Sequence, residues 1–431
     1  MTSEFSSEPT PSLIERLSQI METMRELSLQ TDPQAMVRQY YNRMRQVNPQ
    51  IDRRLAMSRR ELSYPEFRIT RYSEWVDDID PWKEPDRLPL LSGGILADLI
   101  YGNDPRIINH LVVAPDDPAY QYLEGQHSLQ AIPILDQGIS LNMSLHTRRI
   151  ENGFSYEHLP EAVWLANLFG RATNNLVLAE RLKEAYEEID RELKAVARIQ
   201  QSLLPIKLPD IPRMKLAASY QTARRAGGDY YDFFPLEGGL WGILIADVSG
   251  HGTPAAVMMA VMHSIAHTFP GVTVSPGGML NYLNERLCQH YVGSTGTFVT
   301  AFYAIFDPRT LRLTYSSAGH NPPRLRRCVQ KQIYSLSHAQ QFPLGVMKSF
   351  KAIEASIELR PGDQLVFYTD GIVEASGPDK ELYGLERLDS EISVGSLDPH
   401  RTVQAILKSV HSFSCGAQAS DDRTLVIGTI S

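Results

Sequence analysis

Cysteine is scarce in this chain: Cys288, Cys328 and Cys415 are the three present among 431 residues, far apart and odd in number. That spacing gives neither a disulfide framework nor a zinc site, and a reducing cytoplasm is the expected location. Long apolar runs are missing too. None approaches the roughly 20 residues a bilayer-crossing helix needs, so no membrane span is expected. Positive charge is short, with 42 Lys and Arg against 50 Asp and Glu and a net charge of −8. That balance argues against electrostatic binding of nucleic acid. The first dozen residues are polar and acidic, unlike a secretory signal. What remains is ordinary for a folded protein, 43% apolar and 21% charged, with length for two or three domains.

Apolar residues recur at helical spacing from Leu13 to Leu29. Thr31-Asp32-Pro33 then opens a second helix through Val47, with proline at its first position. Leu129 to Leu135 and Ile139 to Leu145 flank Asp136-Gln137-Gly138 and predict a β-hairpin. A helix starting near Tyr156 runs without a breaker to Leu204, ended by Pro205 and Pro209. Within it Leu178, Leu182, Ala185, Ile189, Glu192, Val196, Ile199 and Leu203 alternate three and four apart. This is a coiled-coil register. It predicts either a long helix lying on its own domain or a parallel homodimer helix joining a sensor to an effector.

From Ile206 onward short strands dominate, with a few helices between hairpins, and an α+β layered fold is expected. Leu240 to Ala246 predicts a buried strand ending at Asp247, and Pro254 to Phe269 a helix. Four acidic positions sit at strand ends or turns beside glycine: Asp229, Asp247, Asp370 and the pair Asp421-Asp422. Singly, each is equally a turn or N-cap residue, and Asp363 is assigned to its turn. Together they suit hard divalent cations such as Mg²⁺ and Mn²⁺, which take oxygen ligands. Converging carboxylates without a cation repel one another, and two ions remove that cost and catalyse phosphoryl transfer.

The stretch from about Gln200 to Ser431 resembles the PPM (protein phosphatase 2C-like) family in its SpoIIE/RsbU branch. The motifs are Gly227-Gly228-Asp229-Tyr230-Tyr231-Asp232, Asp247-Val248-Ser249-Gly250-His251-Gly252, Ala318-Gly319-His320-Asn321-Pro322-Pro323, Thr369-Asp370-Gly371 with Glu374, and Ser420-Asp421-Asp422-Arg423-Thr424. The resemblance implies an α/β/β/α sandwich over 206–431 with two Mn²⁺ or Mg²⁺ ions. Asp247 would bridge them, with the Val248 carbonyl completing one. Asp370 and Asp421 would hold the other, and Asp229 would reach the pair directly or through water. Asp422 is the alternative to Asp421. Asp247 and Asp370 are the catalytic candidates, and hydrolysis would use metal-activated water. The implied activity is a protein serine/threonine phosphatase acting on an anti-anti-sigma-factor-like partner in bacterial signalling. His251 and His320 are expected to be structural. Arg224 and Arg225 are open between a phosphate contact and a solvated loop, and Arg324, Arg326, Arg327 and Lys331 are expected on an exposed strand face.

Residues 1–155 resemble a GAF sensor domain on weaker features, namely the Thr31-Asp32-Pro33 helix, the hairpin and the segment Phe154, Leu159, Ala166. Residues 156–205 are then a linker helix. Without cysteine before Cys288, a thioether-linked chromophore is excluded there. Two rivals to the enzyme remain. One is a non-catalytic regulatory module of the same fold, which the intact aspartates oppose. The other is a nucleotide cyclase suggested by Gly-Gly-Asp, which Tyr230 and Tyr231 oppose by standing where an acidic residue is needed.

Overall fold

The computed structural model describes residues 13–77, 79–270, 275–291, 296–328 and 332–431. The chain divides into two compact units, Met1–Tyr186 and Glu187–Ser431. In the first, α1 (Leu13–Ser28) and α2 (Pro33–Val47) form a pair. Asp32 caps α2, accepting from the Ala35 amide at 2.6 Å, with Pro33 fixing the first turn. Then come β1 (Arg53–Ser58), β2 (Glu66–Tyr72), β3 (Leu90–Ser92), α3 (Gly94–Gly102), β4 (Arg106–Ile108) and α4 (Tyr120–Leu123). The hairpin follows as β5 (Ser128–Asp136) and β6 (Ile139–Arg148), turned by Gln137 and Gly138, both at positive φ.

These strands form one antiparallel sheet, ordered β3-β2-β1-β6-β5-β4. One face carries Leu55, Met57, Phe67, Ile69, Met143 and Leu145, packed with Leu96, Leu99 and Ile100 of α3 and Leu123 of α4. A smaller cluster joins Leu27 of α1 and Met36 and Val37 of α2 to Phe169. Phe169 belongs to α5, a single helix of 44 residues over Leu159–Ser202. Along α5 the seam residues Leu178, Leu182, Ile189 and Ile199 are 53–65% exposed among the described residues.

The second unit is a four-layered sandwich. Its chain order is β7 (Met214–Gln221), β8 (Tyr230–Leu236), β9 (Leu240–Val248), α6 (Thr253–His267), α7 (Pro276–His290), β10 (Val299–Asp307) and β11 (Arg312–Ala318). There follow β12 (Arg324–Arg327), β13 (Gln332–Ser335), β14 (Gln340–Gln341), β15 (Ala355–Glu358), β16 (Gln364–Tyr368) and α8 (Asp370–Val373). Last are α9 (Gly384–Val394), α10 (Pro399–Phe413) and β17 (Arg423–Ile430). One sheet runs β14-β11-β10-β9-β8, with β15 also on β11, and the other β13-β12-β16-β17-β7.

The two sheets face each other through a core that holds Ile243, Ile245, Phe302 and Ala304 from one and Leu325, Phe367 and Val426 from the other. Phe302 and Phe367 meet across the gap with ring centroids 5.9 Å apart. Met259, Met262, Leu280 and Leu283 of α6 and α7 cover the first sheet's outer face. Leu388 and Ile392 of α9, with Ile406 and Val410 of α10, cover the second. Strands buried on both faces lose the polar alternation of a one-sided sheet, and β9 up to Ala246 and the 425–428 stretch of β17 are apolar for that reason.

One sequence expectation is corrected here. Arg324, Arg326 and Arg327 do not form an exposed face. Arg324 makes a bidentate pair with Asp389 of α9, Arg326 donates to the Gly395 carbonyl, and Arg327 pairs with buried Asp363. Their partners arrive 36 to 69 residues later in the chain, which local sequence does not reveal. Lys331 lies outside the described residues. Asp363 does sit in the turn assigned to it, and its carboxylate also accepts from the Arg360 amide.

Candidate metal centre

The ends of both sheets bring five aspartates together. Asp247 is on the last turn of β9 before the Ser249–Gly252 loop, and Asp229 stands immediately before β8. Asp370 opens α8 directly after β16, and Asp421-Asp422 directly precede β17. Hairpin pairing aligns them: Tyr230 faces Ala246 across β8–β9, and Tyr368 faces Leu425 across β16–β17.

Asp229 is 1% exposed and spans the two sheets. Its Oδ2 accepts from the Thr369 hydroxyl at 2.7 Å and the Thr424 hydroxyl at 2.6 Å, both from the opposite sheet's edge. Asp422 is occupied otherwise. Its Oδ1 accepts from the Ala223 amide at 2.8 Å and its Oδ2 from the Gly228 amide at 2.6 Å, pinning the Gly-Gly-Asp turn. Asp421 keeps its carboxylate on the cluster side, where it acts electrostatically on both Asp370 and Asp247. The glycines are steric requirements. A Cβ on Gly228 would stand 2.9 Å from the Val248 carbonyl oxygen, and one on Gly371 would stand 2.0 Å from the Asp422 carbonyl oxygen.

Among the described residues no lysine or arginine is ion-paired with Asp229, Asp247, Asp370 or Asp421. Burial, then repulsion from Asp229, Asp370 and Asp421, pushes the Asp247 carboxyl up to about 10. Burial likewise lifts Asp229 to about 8, against the pull of its two threonine hydroxyls, and Asp370 to about 6, with Asp421 adding to it. An all-oxygen, mutually repelling and otherwise uncompensated set fits hard divalent cations. Asp229, Asp247, Asp370, Asp421 and the Val248 carbonyl are the residues that would hold them.

The histidines separate. His320 is buried, its Nδ1 is 2.8 Å from the Thr300 hydroxyl, and that hydroxyl is 3.5 Å from the Asp247 carbonyl oxygen. Burial drives His320 down to about 4, so it is neutral and props the Asp247 backbone. His251 is exposed ahead of α6. Arg225 is paired with Asp190 of α5, and Arg224 is exposed. Sequence reasoning missed Thr369 and Thr424 as holders of Asp229, although both stand inside motifs it quoted. It also missed Gln200 of α5, whose side chain bonds the Gly227 carbonyl at 3.0 Å, the Gly227 amide at 3.2 Å and the Tyr220 hydroxyl at 2.6 Å.

Two facing sheets between helical layers, with a carboxylate cluster at their shared edge, are the arrangement that the resemblance to the protein phosphatase 2C-like family implies. Residues 237–430 match the family described as Stage II sporulation protein E (SpoIIE). Protein IcfG of Synechocystis sp. is 27% identical over 369 residues, covering 79% of this chain and 54% of that protein. Phosphoserine phosphatase RsbU of Bacillus subtilis is 31% identical over 195 residues, covering 45% and 57%. The chain thus spans about half the length of these curated relatives. The SiaA-PP2C domain of Pseudomonas aeruginosa is similar in structure, with a TM-score of 0.49 at 18% identity, covering 57% of this chain and 98% of that one.

Proposed function

We propose that the C-terminal domain is a metal-dependent protein serine/threonine phosphatase. The observation that carries this reading is the cluster of Asp229, Asp247, Asp370 and Asp421, which converges without an arginine or lysine partner among the described residues. Two Mg²⁺ or Mn²⁺ ions bound there supply Lewis acidity, neutralising phosphoryl oxygens and making water a better nucleophile near neutral pH. The chain's own residues set the geometry. Thr369 and Thr424 orient Asp229, Asp422 holds the turn that carries it, and Thr300 with His320 backs Asp247. The intact ligand set opposes the alternative of a non-catalytic module. The substrate we infer is a phosphoserine-bearing protein, in keeping with the relative named phosphoserine phosphatase RsbU, and the family resemblance of the motifs favours an anti-anti-sigma-factor-like one. Release of phosphate from a phosphoserine protein should require Mn²⁺ or Mg²⁺ and stop with a chelator. Full turnover in chelator would overturn this reading.

The first unit is read as a GAF-like sensor and α5 as the linker. The uncovered stripe Leu178, Leu182, Ile189, Ile199 favours a homodimer through a second copy of α5. Gln200, on the same helix, grips the Gly-Gly-Asp turn, so a change in α5 would reach Asp229. Changing Leu182 and Ile189 to Lys should dissociate the dimer in light scattering and alter the phosphatase rate. A monomeric wild type would remove the dimer.

No helix among the described residues is long and apolar enough to cross a membrane. A cytoplasmic location remains our inference from the three unpaired cysteines.

A further inference from the structure

On the other side of the Gly-Gly-Asp motif lies a cluster that the phosphatase reading does not use. Asp232, on β8, is buried, and α6 presents His263 and His267 to it, four residues apart and therefore on one helical face. His267 Nε2 is 2.7 Å from Asp232 Oδ2, and His263 Nδ1 is 3.8 Å from the same oxygen. The two imidazole centroids are 4.3 Å apart. Asp232 is oriented from behind. Its Oδ1 accepts from the Phe233 amide at 2.7 Å, and its Oδ2 accepts from the Tyr230 hydroxyl at 2.6 Å. That hydroxyl is also 3.1 Å from His263 Nδ1.

We propose that Asp232, His263 and His267 form a second metal site, for a zinc-class transition ion, separate from the carboxylate cluster. The three ligand atoms lie within 4.8 Å of one another. Tetrahedral zinc with bonds of about 2.0–2.2 Å sets its ligands about 3.4 Å apart. The observed 2.7 and 3.8 Å straddle that value, so small side-chain adjustments suffice. Two imidazoles and one carboxylate select zinc, nickel or copper over magnesium, whereas the carboxylate cluster selects the reverse. Side-chain exposures of 46% at His267 and 23% at His263 leave an entry path and a fourth position open to water.

The placement gives such an ion a role. β8 begins one residue after Asp229, and α6 begins just after the loop that follows Asp247. The site is about 10 Å along β8 from Asp229 and about 15 Å along α6 from that loop. It shares no ligand with the carboxylates, yet it clips together the strand that follows Asp229 and the helix that follows the Asp247 loop.

The test is Zn²⁺ titration of the full chain by calorimetry in saturating Mg²⁺, with Co²⁺ as the optical probe. One Zn²⁺ per chain should bind, and Co²⁺ should show the visible bands of a tetrahedral nitrogen-containing site. His263→Gln and His267→Gln should each weaken binding at least about tenfold. Asp247→Asn should leave it intact, and near-ultraviolet dichroism should show all three variants folded. Failure of Zn²⁺ to bind in Mg²⁺ would overturn the proposal. So would binding that both histidine variants retain, or binding that only Asp247→Asn removes. None of these outcomes bears on the phosphatase reading, which the chelator experiment tests.

Discussion

The C-terminal domain treats buried and half-buried carboxylates in two opposite ways. Asp363, in the turn before β16, and Asp389, on α9, are each matched by a guanidinium, Arg327 and Arg324. At the shared edge of the sheets, Asp229, Asp247, Asp370 and Asp421 are given hydroxyls, amides and each other. Where a negative charge serves the fold, an arginine is supplied. Where none is supplied, the fold carries repulsion that a bound cation relieves. Buried charge left unpaired costs several kcal/mol, so the second arrangement marks a site.

The sharpest break of this comparison is Asp247→Asn. It should lower phosphatase activity by several orders of magnitude, since a ligand is lost, while raising the melting temperature measured in chelator. The pH dependence has a definite sign. The folded-state pKa values of Asp370, Asp229 and Asp247 lie at about 6, 8 and 10, above the unfolded value of 3.8. The folded form therefore holds more protons, and stability in chelator is full below about pH 4 and falls as pH rises through these values. In Asp247→Asn the fall should be shallower, and with saturating Mn²⁺ the wild-type curve should flatten. A steeper fall in the variant would contradict the repulsion.

On the paired side, Asp363→Ala should cost about 3–5 kcal/mol in denaturant unfolding by stranding Arg327, with Mn²⁺ affinity unchanged. Altered Mn²⁺ affinity would mean the two regions are not independent.

The finest contrast is between neighbours. Asp422→Asn should weaken metal binding about 10–100-fold by loosening the Gly228 turn. Asp421→Asn should cost more activity with less loss of stability. The reverse order in a metal titration would make Asp422 the ligand.

The site was more legible than its supports. Asp229 and Asp370 stand directly beside glycines, and Asp247 and Asp421 lie with them at strand ends, so such positions announce themselves locally. The roles of Thr369, Thr424 and Asp422 depend on contacts spanning 140 to 199 residues, and no local pattern encodes them. The helices and the hairpin at Gly138 were legible because caps and turns are local chemistry. The strand β12 misled, since its arginines look solvated until α9 covers them. The spacing of His263 and His267 was open to inspection, but its meaning depended on Asp232 arriving from another strand.

The bond between Asp229 and Thr424 joins positions 195 residues apart. During synthesis, everything from β7 to α10 leaves the ribosome before Thr424, the second of the two hydroxyls that hold Asp229, exists. Until β17 slots between β16 and β7, the second sheet is split and Asp421 is missing from the cluster. A nascent or clipped chain therefore lacks the assembled cluster, and whatever chemistry the cluster performs waits for β17.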